Sequence, residues 1–566
     1  MPIPGPYHIT QGAKIKQAIN GPTTERLLII GTAVDGPINS PMPITSASQA
    51  ESIFGPASYS RGYLSPITSS EDGLPNGATL PLFISQAINA GCTNIYAVRA
   101  SGSYAAAVSG FNGKLYLRSI YPGRIYNSVS VTVTAMNGTL LWTQTQPNNK
   151  LGSFSTTFAS TLSIGQIADL VNADRRNTTL YVDKSVFTAY VSAACTTLVS
   201  GTATVSGGTN GTSAPGEDYF SSKTGYATLL TATDTGTFDM IEGMGFPFNI
   251  AVLTGVYFDD QVVDTNGQSV TIGTDFAVWL DKCSTTINPC HGVMGTRPHG
   301  IRDRTALINY VNTSLLATTA AFYDAAKRWT KAGAFLYAGF KRTDPVEGVV
   351  DMGRRLSVCA GCDVIYTHPD IGTYADNFHG TYAAMLTTYP PEKEPTFSKL
   401  PGVLAYTDLL PTKYADLLVQ GVGYDGTNDI SGKGAFVTLT RSLDGGGSPV
   451  IYSPVTTTDR EDYFFTYQPI HLANSVHSAM ALAFTGYYGS PTDQKTRAAM
   501  ETTIQNILDG YAQSGALKGK RGVGYDYEVV SSARDEALGI IRVNVELWPA
   551  RALQKIVFTV AVKTNM

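Results

Sequence analysis

The sequence predicts a multidomain α/β protein, α+β overall. A layered α/β core domain carries an inserted β-rich domain and is followed by an α+β C-terminal domain that ends in a strand. Three observations predict this. Apolar strand runs alternate with helical patterns over residues 27–100 and again over 220–440, as parallel layered sheets require. Residues 101–219 change to Thr, Ser and Gly with a two-residue period. Residues 441–566 place two long helical patterns ahead of two alternating strands, the second spanning 555–563. At 566 residues the chain exceeds a single core, which rarely grows past about 250–300 residues.

Residues 1–26 are rich in Pro and Gly and have no helical period, so they read as an extended N-terminal arm, with Ile9, Ile15 and Ile19 as its apolar side chains. LLIIGTAVDGPINSP opens the core. Leu27 to Ile30 is a buried strand, and Gly31 to Gly36 is a glycine-bracketed turn. SQAESIF is a short helix closed by Gly55-Pro56. LPLFISQAINAG is a helix with Pro81 in its first turn and Gly91 beyond its end. NIYAVRA is the next strand. In the insertion, NSVSVTVTAMNGTLLWTQT reads as a hairpin turning at Asn137-Gly138, and IGQIADLVN as a helix.

The α/β alternation resumes with the strand FNIAVLTGVY and the helix TDFAVWLDKC. TALINYVNTSLLATTAAFYDAAKRW sets Leu307, Val311, Leu315, Phe322, Ala326 and Trp329 at helical spacing. AFLYAGF reads as a strand and VVDMGRRLSVCAG as a helix. In the C-terminal domain, YFFTYQPIHLANSVHSAMALAF is a long helix. KTRAAMETTIQNILDGYAQSGAL puts Met500, Ile504, Ile507, Leu508 and Tyr511 on one face. Ile541, Val543, Val545 and Leu547 then alternate with polar residues, and Ile556, Phe558, Val560 and Val562 repeat the pattern after PARALQK. A terminal strand left unpaired exposes a row of N–H and C=O groups. It either completes its own sheet or completes one in another molecule by β-augmentation.

Composition narrows the function. Charged residues are 15 % of the chain, against the usual ~25 %, and hydrophobic residues are 43 %. That balance suits a folded, β-rich protein whose polar surface is hydroxyl and amide more than ionic, and it also suits a protein that hides surface in an assembly. A net charge of −4 gives no electrostatic footprint for nucleic acid. The sequence holds no apolar run of about 20 residues, and MPIPGPYHIT lacks the features of a signal peptide, so synthesis and residence in a cytoplasm are expected. Six cysteines in this length make no disulfide scaffold. Cys359 and Cys362 have CxxC spacing, but a zinc ribbon needs a second such pair. No metal or cofactor is expected.

Two catalytic patterns are weighed. Leu27–Gly36 has the strand–glycine loop order of a phosphate cradle, but Pro37, Pro41 and Pro43 follow where a helix N-terminus would have to supply amides. Gly211-Thr212-Ser213-Ala214-Pro215, Asp234-Thr235-Gly236 and His379-Gly380-Thr381 are similar to the three segments of subtilisin-like proteases. Their order is Ser, Asp, His rather than Asp, His, Ser, and Pro215 breaks the G-x-S-x-G elbow of the α/β-hydrolases. The expectation is that the chain is not an enzyme.

In order along the chain, these features resemble the contractile-tail sheath proteins of phages and contractile injection systems. LLIIGTAVDGPINSPMPITSASQAESIFG resembles their opening, LPLFISQAINAGCTNIYAVRA their next helix and strand, YPGRIYNSVSVTV and VSGGTNG the two ends of an inserted β domain, and IRVNVELWPARALQKIVFTVAVK their C-terminus. The resemblance implies a structural subunit of a virion tail, assembled in the host bacterial cytoplasm. Copies polymerise around a tail tube, with the arm (Ile9, Ile15, Ile19) and the last strand (Ile556, Phe558, Val560, Val562) reaching into neighbours. It implies a homo-oligomer partnered by the tube protein, the baseplate and the tail terminator, with neither nucleic acid nor membrane insertion. Contraction would drive the tube through a bacterial envelope without nucleotide. Lys495, Arg497 and Lys518 are candidate tube contacts. An α/β hydrolase-type enzyme with a β insertion, or another virion assembly protein, is the alternative.

Overall fold

The computed structural model describes residues 25–57, 79–100, 104–107, 115–122, 127, 129–145, 154–173, 187–191, 200–206, 237–258, 261–263, 269–284, 289–296, 304–310, 329–331, 340–344, 348–360, 363–369, 371–406, 412–420, 436–442, 448–457, 466–519 and 524–550. The first segment forms β1 (Leu27–Gly31), β2 (Met42–Ile44), α1 (Ala47–Phe54), α2 (Leu80–Asn89) and β3 (Ile95–Arg99). The expected strands and helices form. Gly55 closes α1 at φ 77°, a conformation that favours glycine, and its N–H returns to the Glu51 carbonyl. The proline-rich stretch adds one short strand, β2, which runs antiparallel on the sheet edge. Pro43 is tolerated there because an edge strand leaves amides unused.

The insertion holds β4 (Tyr104–Ala107), β5 (Leu115–Pro122), β6 (Ser130–Met136), β7 (Thr139–Thr145), β8 (Phe154–Ala159), α3 (Ile164–Ala173), β9 (Phe187–Val191) and β10 (Gly201–Thr204). They form sheets of order β4-β5-β9 and β10-β6-β7-β8. Asn137 (φ 45°) and Gly138 (φ 82°) make the hairpin turn between β6 and β7, as the sequence predicts. Trp142, Val131, Val133, Phe154, Ile164, Ile167 and Val171 close a core of their own.

The chain returns through α4 (Thr237–Met244), β11 (Ile250–Leu253), β12 (Gln261–Val263), β13 (Ser269–Thr271), α5 (Ile272–Cys283), β14 (His291–Gly295) and α6 (Arg304–Tyr310). Then come β15 (Trp329–Lys331), β16 (Phe340–Asp344), β17 (Gly348–Asp351), β18 (Leu356–Cys359), β19 (Asp363–His368), β20 (Gly372–Asn377), α7 (His379–Leu386), β21 (Ala405–Tyr406) and α8 (Thr412–Gln420). The main sheet has order β18-β14-β11-β1-β3-β2, parallel except for β2. Its strands are apolar on both faces because both are covered. Leu28, Ile30, Ala251, Leu253 and Val358 face one cluster with Phe276 and Trp279 of α5. Leu27, Ile29, Ile250, Val252 and Cys359 face the other, with Phe83 of α2 and Tyr382 of α7.

Two sequence expectations fail here. VVDMGRRLSVCAG is not a helix: it is β17, one 3-10 turn and β18. A short apolar run fits either period, and pairing with β14 buries all four residues of β18. Trp329 does not continue a helix. It pairs with Arg342 between β15 and β16, so sheet pairing overrides its helical spacing. Val311, Leu315, Phe322, Ala326 and most of AFLYAGF lie outside the described residues.

The last part contains β22 (Leu439–Arg441), β23 (Pro449–Ile451), α9 (Tyr467–Phe484), α10 (Gln494–Gln513), β24 (Tyr525–Val530), α11 (Ala533–Ala537) and β25 (Arg542–Leu547). Leu439 and Ile451 still belong to the α/β core. From Leu472 onward a separate cluster forms between α9, α10 and the β24–β25 sheet.

Candidate assembly interface

Asp493 caps α10 by accepting the Thr496 amide at 2.7 Å. The helix buries Met500, Ile504, Ile507, Leu508 and Tyr511, the face that the sequence predicts. β24 and β25 pair antiparallel, Tyr525 opposite Leu547, Tyr527 opposite Val545 and Val529 opposite Val543. These six side chains pack toward the helices. Asp526, Glu528, Asn544 and Glu546 are exposed on the other face, where Asp526 lies opposite Glu546. The Tyr525 hydroxyl donates to Asp509 of α10 at 2.5 Å. Burial first, and then Asp509, push that phenol up to about 12. β24 was not read from the sequence, although Tyr525, Tyr527 and Val529 alternate with Asp526 and Glu528 in the same two-residue period.

β25 is held at both ends. Arg542 donates two hydrogen bonds to Asp535, 3.2 Å from Nε and 2.9 Å from Nη2. Asp535 also completes a capping box with Ser532 at the start of α11. The Arg542 bond, then the Ser532 bonds, draw the Asp535 carboxyl down to about 2. Beyond the strand, the Trp548 amide donates to the Gly524 carbonyl at 2.9 Å. The Trp548 carbonyl accepts from Lys518 at 2.9 Å, and the Ala550 amide donates to Ala516 at 2.8 Å. The described chain ends there. It begins on the same unit, where Glu25 meets His471 of α9 at 3.0 Å.

Among the described residues this sheet has two strands and no third. Backbone polarity alternates along an antiparallel strand. Because the Trp548 amide points at β24, those of Val543, Val545 and Leu547 point outward. A cleft of about 570 Å³ flanks this edge, lined by Met480, Phe484, Tyr488, Ile540, Val543 and Val545 among others. Tyr488 on its wall is 77 % exposed, and Leu482, Leu538 and Trp548 are further exposed apolar side chains of the same unit. An apolar cleft beside an open strand edge can accept an extended strand with alternating apolar side chains.

The predicted strand residues Ile556, Phe558, Val560 and Val562 lie outside the described residues, as do Ile9, Ile15 and Ile19 of the arm. Lys495 and Lys518 are exposed. Arg497 pairs with Glu536 of α11 at 3.0 Å. Lys495 and Arg497 lie in the first turn of α10 and Lys518 lies past its end. The 20-residue helix separates them by about 30 Å, so they do not form one patch.

The α/β core has a crevice where ligands bind in many doubly wound folds, at the carboxyl ends of β1 and β11. Here it is filled. The hydroxyls of Thr32 and Thr79 lie 3.2 Å apart and those of Thr79 and Thr254 2.7 Å apart. A Cβ on Gly31 would sit 1.9 Å from the Thr254 hydroxyl. His379 is fully buried with Nε2 3.2 Å from the Leu253 carbonyl and its ring against Phe83. Burial lowers its imidazole to about 4, which suits a packed residue rather than a base at neutral pH. Ser213 and Asp234, its partners in the protease-like pattern, lie outside the described residues. No cluster of potential metal ligands occurs among the described residues, and no described helix is long and apolar enough to cross a membrane.

No protein-family model matches the chain, and no curated protein matches it. Solved structures do. The sheath tail protein of Listeria innocua aligns at 10 % identity with a TM-score of 0.51, covering 93 % of this chain and 92 % of that one. The sheath tail protein of Desulfitobacterium hafniense aligns at 10 % identity with a TM-score of 0.50, covering 96 % of each chain. The chain therefore has the fold of the sheath tail proteins.

Proposed function

We propose that this protein is the structural subunit of a contractile tail sheath. It polymerises around a tail tube by lending its terminal strands to neighbouring copies. The observation that carries this reading is the β24–β25 sheet: two strands, an apolar cleft beside the open β25 edge, and the described chain leaving that sheet at Ala550. The fold shared with sheath tail proteins supports it. Residues 551–566 span at most about 55 Å when extended, a reach that includes the pairing strand itself. In this reading Ile556, Phe558, Val560 and Val562 enter the cleft of one neighbour, and the arm carrying Ile9, Ile15 and Ile19 pairs with another.

The mechanism is mechanical. Each copy supplies and receives backbone edges, so rings stay linked while subunits rotate and slide. New interfaces between discrete packed arrangements release the free energy of contraction. The tube protein, the baseplate and the tail terminator are the partners, in a virion tail assembled in the bacterial host. Lys495 and Lys518 are proposed tube-facing cations, whereas Arg497 is engaged by Glu536. The packed crevice at Thr79, Thr254 and His379 disfavours the hydrolase alternative.

Deleting residues 551–566 tests the proposal. The truncated protein is expected to fold and stay soluble but to form no tubes under the electron microscope, and the full-length protein is expected to form long hollow ones. Tubes from the truncated protein would place the linkage elsewhere.

A further inference from the structure

The β24–β25 sheet has two unlike faces. Its apolar side chains pack toward the helices, whereas Asp526, Glu528, Asn544 and Glu546 are exposed on the other side. Asp526 lies directly opposite Glu546. Like charges in that position repel. Arg542 is the one cation that the two strands supply, and Asp535 holds it through two hydrogen bonds. No ion pair among the described residues reaches Asp526, Glu528 or Glu546.

The segment beyond Ala550 has the opposite charge. Residues 551–566, RALQKIVFTVAVKTNM, contain Arg551, Lys555 and Lys563 and no acidic residue. In an extended strand Ile556, Phe558, Val560 and Val562 share one face, and Lys555 and Lys563 fall on the other, at its two ends. A strand laid beside β25 with its apolar side chains in the cleft therefore sets its lysines on the acidic face. Apolar alternation fixes that choice of face but not the register, because a slip of two residues preserves it. The charges remove this freedom. Antiparallel pairing is the more stable mode per residue and the one that β24 and β25 already use. In it, Lys555 opposite Glu546 puts Ile556 at Val545, Phe558 at Val543 and Val560 at Ile541, all three of which line the cleft. Lys563 opposite Glu546 would instead carry the apolar residues past Leu547 to Pro549, which has no N–H for a ladder, and away from the cleft.

We propose that Glu546 sets the register of assembly: it receives Lys555 of a neighbouring copy, so that Asp526, Glu546 and Lys555 form one row across three strands. This deepens the strand-exchange reading and rests on it. The incoming lysine offsets the repulsion between the two carboxylates. A slip of two residues in either direction would leave that repulsion in place, by bringing Val557 or Leu553 to Glu546. The same register sets Asn544 opposite Val557. Because the Asn544 amide points at β24, the two form a non-hydrogen-bonded pair across the new edge, with Cα atoms about 4.5 Å apart. That separation is within reach of a disulfide.

Cysteine cross-linking of the full-length protein, polymerised and then oxidised with copper phenanthroline in air, reads out the register. Asn544→Cys combined with Val557→Cys is expected to link copies into a ladder of oligomers on a denaturing gel. Asn544→Cys combined with Thr559→Cys, the register slipped by two, or with Ala561→Cys, the parallel register, is expected to give little. The single-cysteine variants, which should give no ladder, control for the native thiols. Glu546→Lys is expected to lower the 544–557 yield by up to about fivefold, Lys555→Glu to do the same, and the two together to restore it. A yield at Thr559 or Ala561 equal to that at Val557, or a 544–557 yield unchanged by Glu546→Lys, overturns the register and leaves strand exchange standing. Full-length protein that forms no tubes, or tubes with no cross-link between copies at any of the three positions, contradicts strand exchange and the register with it.

Discussion

Arg542 grips Asp535 through two hydrogen bonds of 2.9 and 3.2 Å, and so fixes the start of β25 against the first turn of α11. Asp535 in turn accepts from Ser532, so cap and strand share one carboxylate. Asp535→Asn is expected to speed amide exchange at residues 532–543 and to leave the α/β core unchanged. Ser532→Ala is expected to destabilise the C-terminal unit by about 1 kcal/mol, the usual size of a lost N-cap. Because the Asp535 carboxyl is drawn down to about 2, its contribution is present above the ordinary carboxylate value and is lost only as pH falls toward 2. Exchange profiles at pH 4 and pH 7 should therefore agree in this segment.

The core is expected to be more sensitive to acid than the strand-bearing unit. His379 is buried and neutral, lowered to about 4 from its ordinary 6.5. A lowered imidazole stabilises the fold above the ordinary value, and that stabilisation is lost as pH falls toward the lowered one. The loss amounts to about 3 kcal/mol between pH 6.5 and 4. Urea midpoints measured across that range should fall in the unaltered protein. They should fall less in His379→Gln, whose amide can still donate to the Leu253 carbonyl.

Trp142 is wholly buried in the core of the insertion, edge-on to Phe158 at 6.3 Å. That cluster shares no residue with the other three. Trp142→Ala should cost the insertion about 3–5 kcal/mol. Calorimetry should show one transition shifted to lower temperature, and tube formation should persist because the assembly edge is elsewhere.

Val545→Pro removes an outward-facing amide from β25 while leaving the inward bonds to β24 available. The expected outcome is a folded, soluble protein that no longer polymerises. Circular dichroism and electron microscopy on the same preparation check both halves.

Periodicity made much of this molecule legible. Leu27 to Ile30 and the face of α10 follow directly from spacing, because both are long or bracketed by glycine and proline. The Asn137-Gly138 turn follows from its dihedral demands. VVDMGRRLSVCAG did not, since thirteen residues of mixed spacing satisfy either period until β14 supplies a pairing partner. Within the site, the alternation of β25 was readable, and that of β24 was equally present but passed over. Contacts that join distant segments, such as Glu25 with His471 and Arg497 with Glu536, leave no local pattern at all.

A reconstruction by electron microscopy of polymerised full-length protein, at a resolution that traces backbone, tests the central claim most directly. The account predicts residues 556–562 paired along β25 of a neighbouring copy, with Phe558 and its alternates in the cleft at Met480 and Phe484. A terminal strand paired only within its own subunit would contradict it.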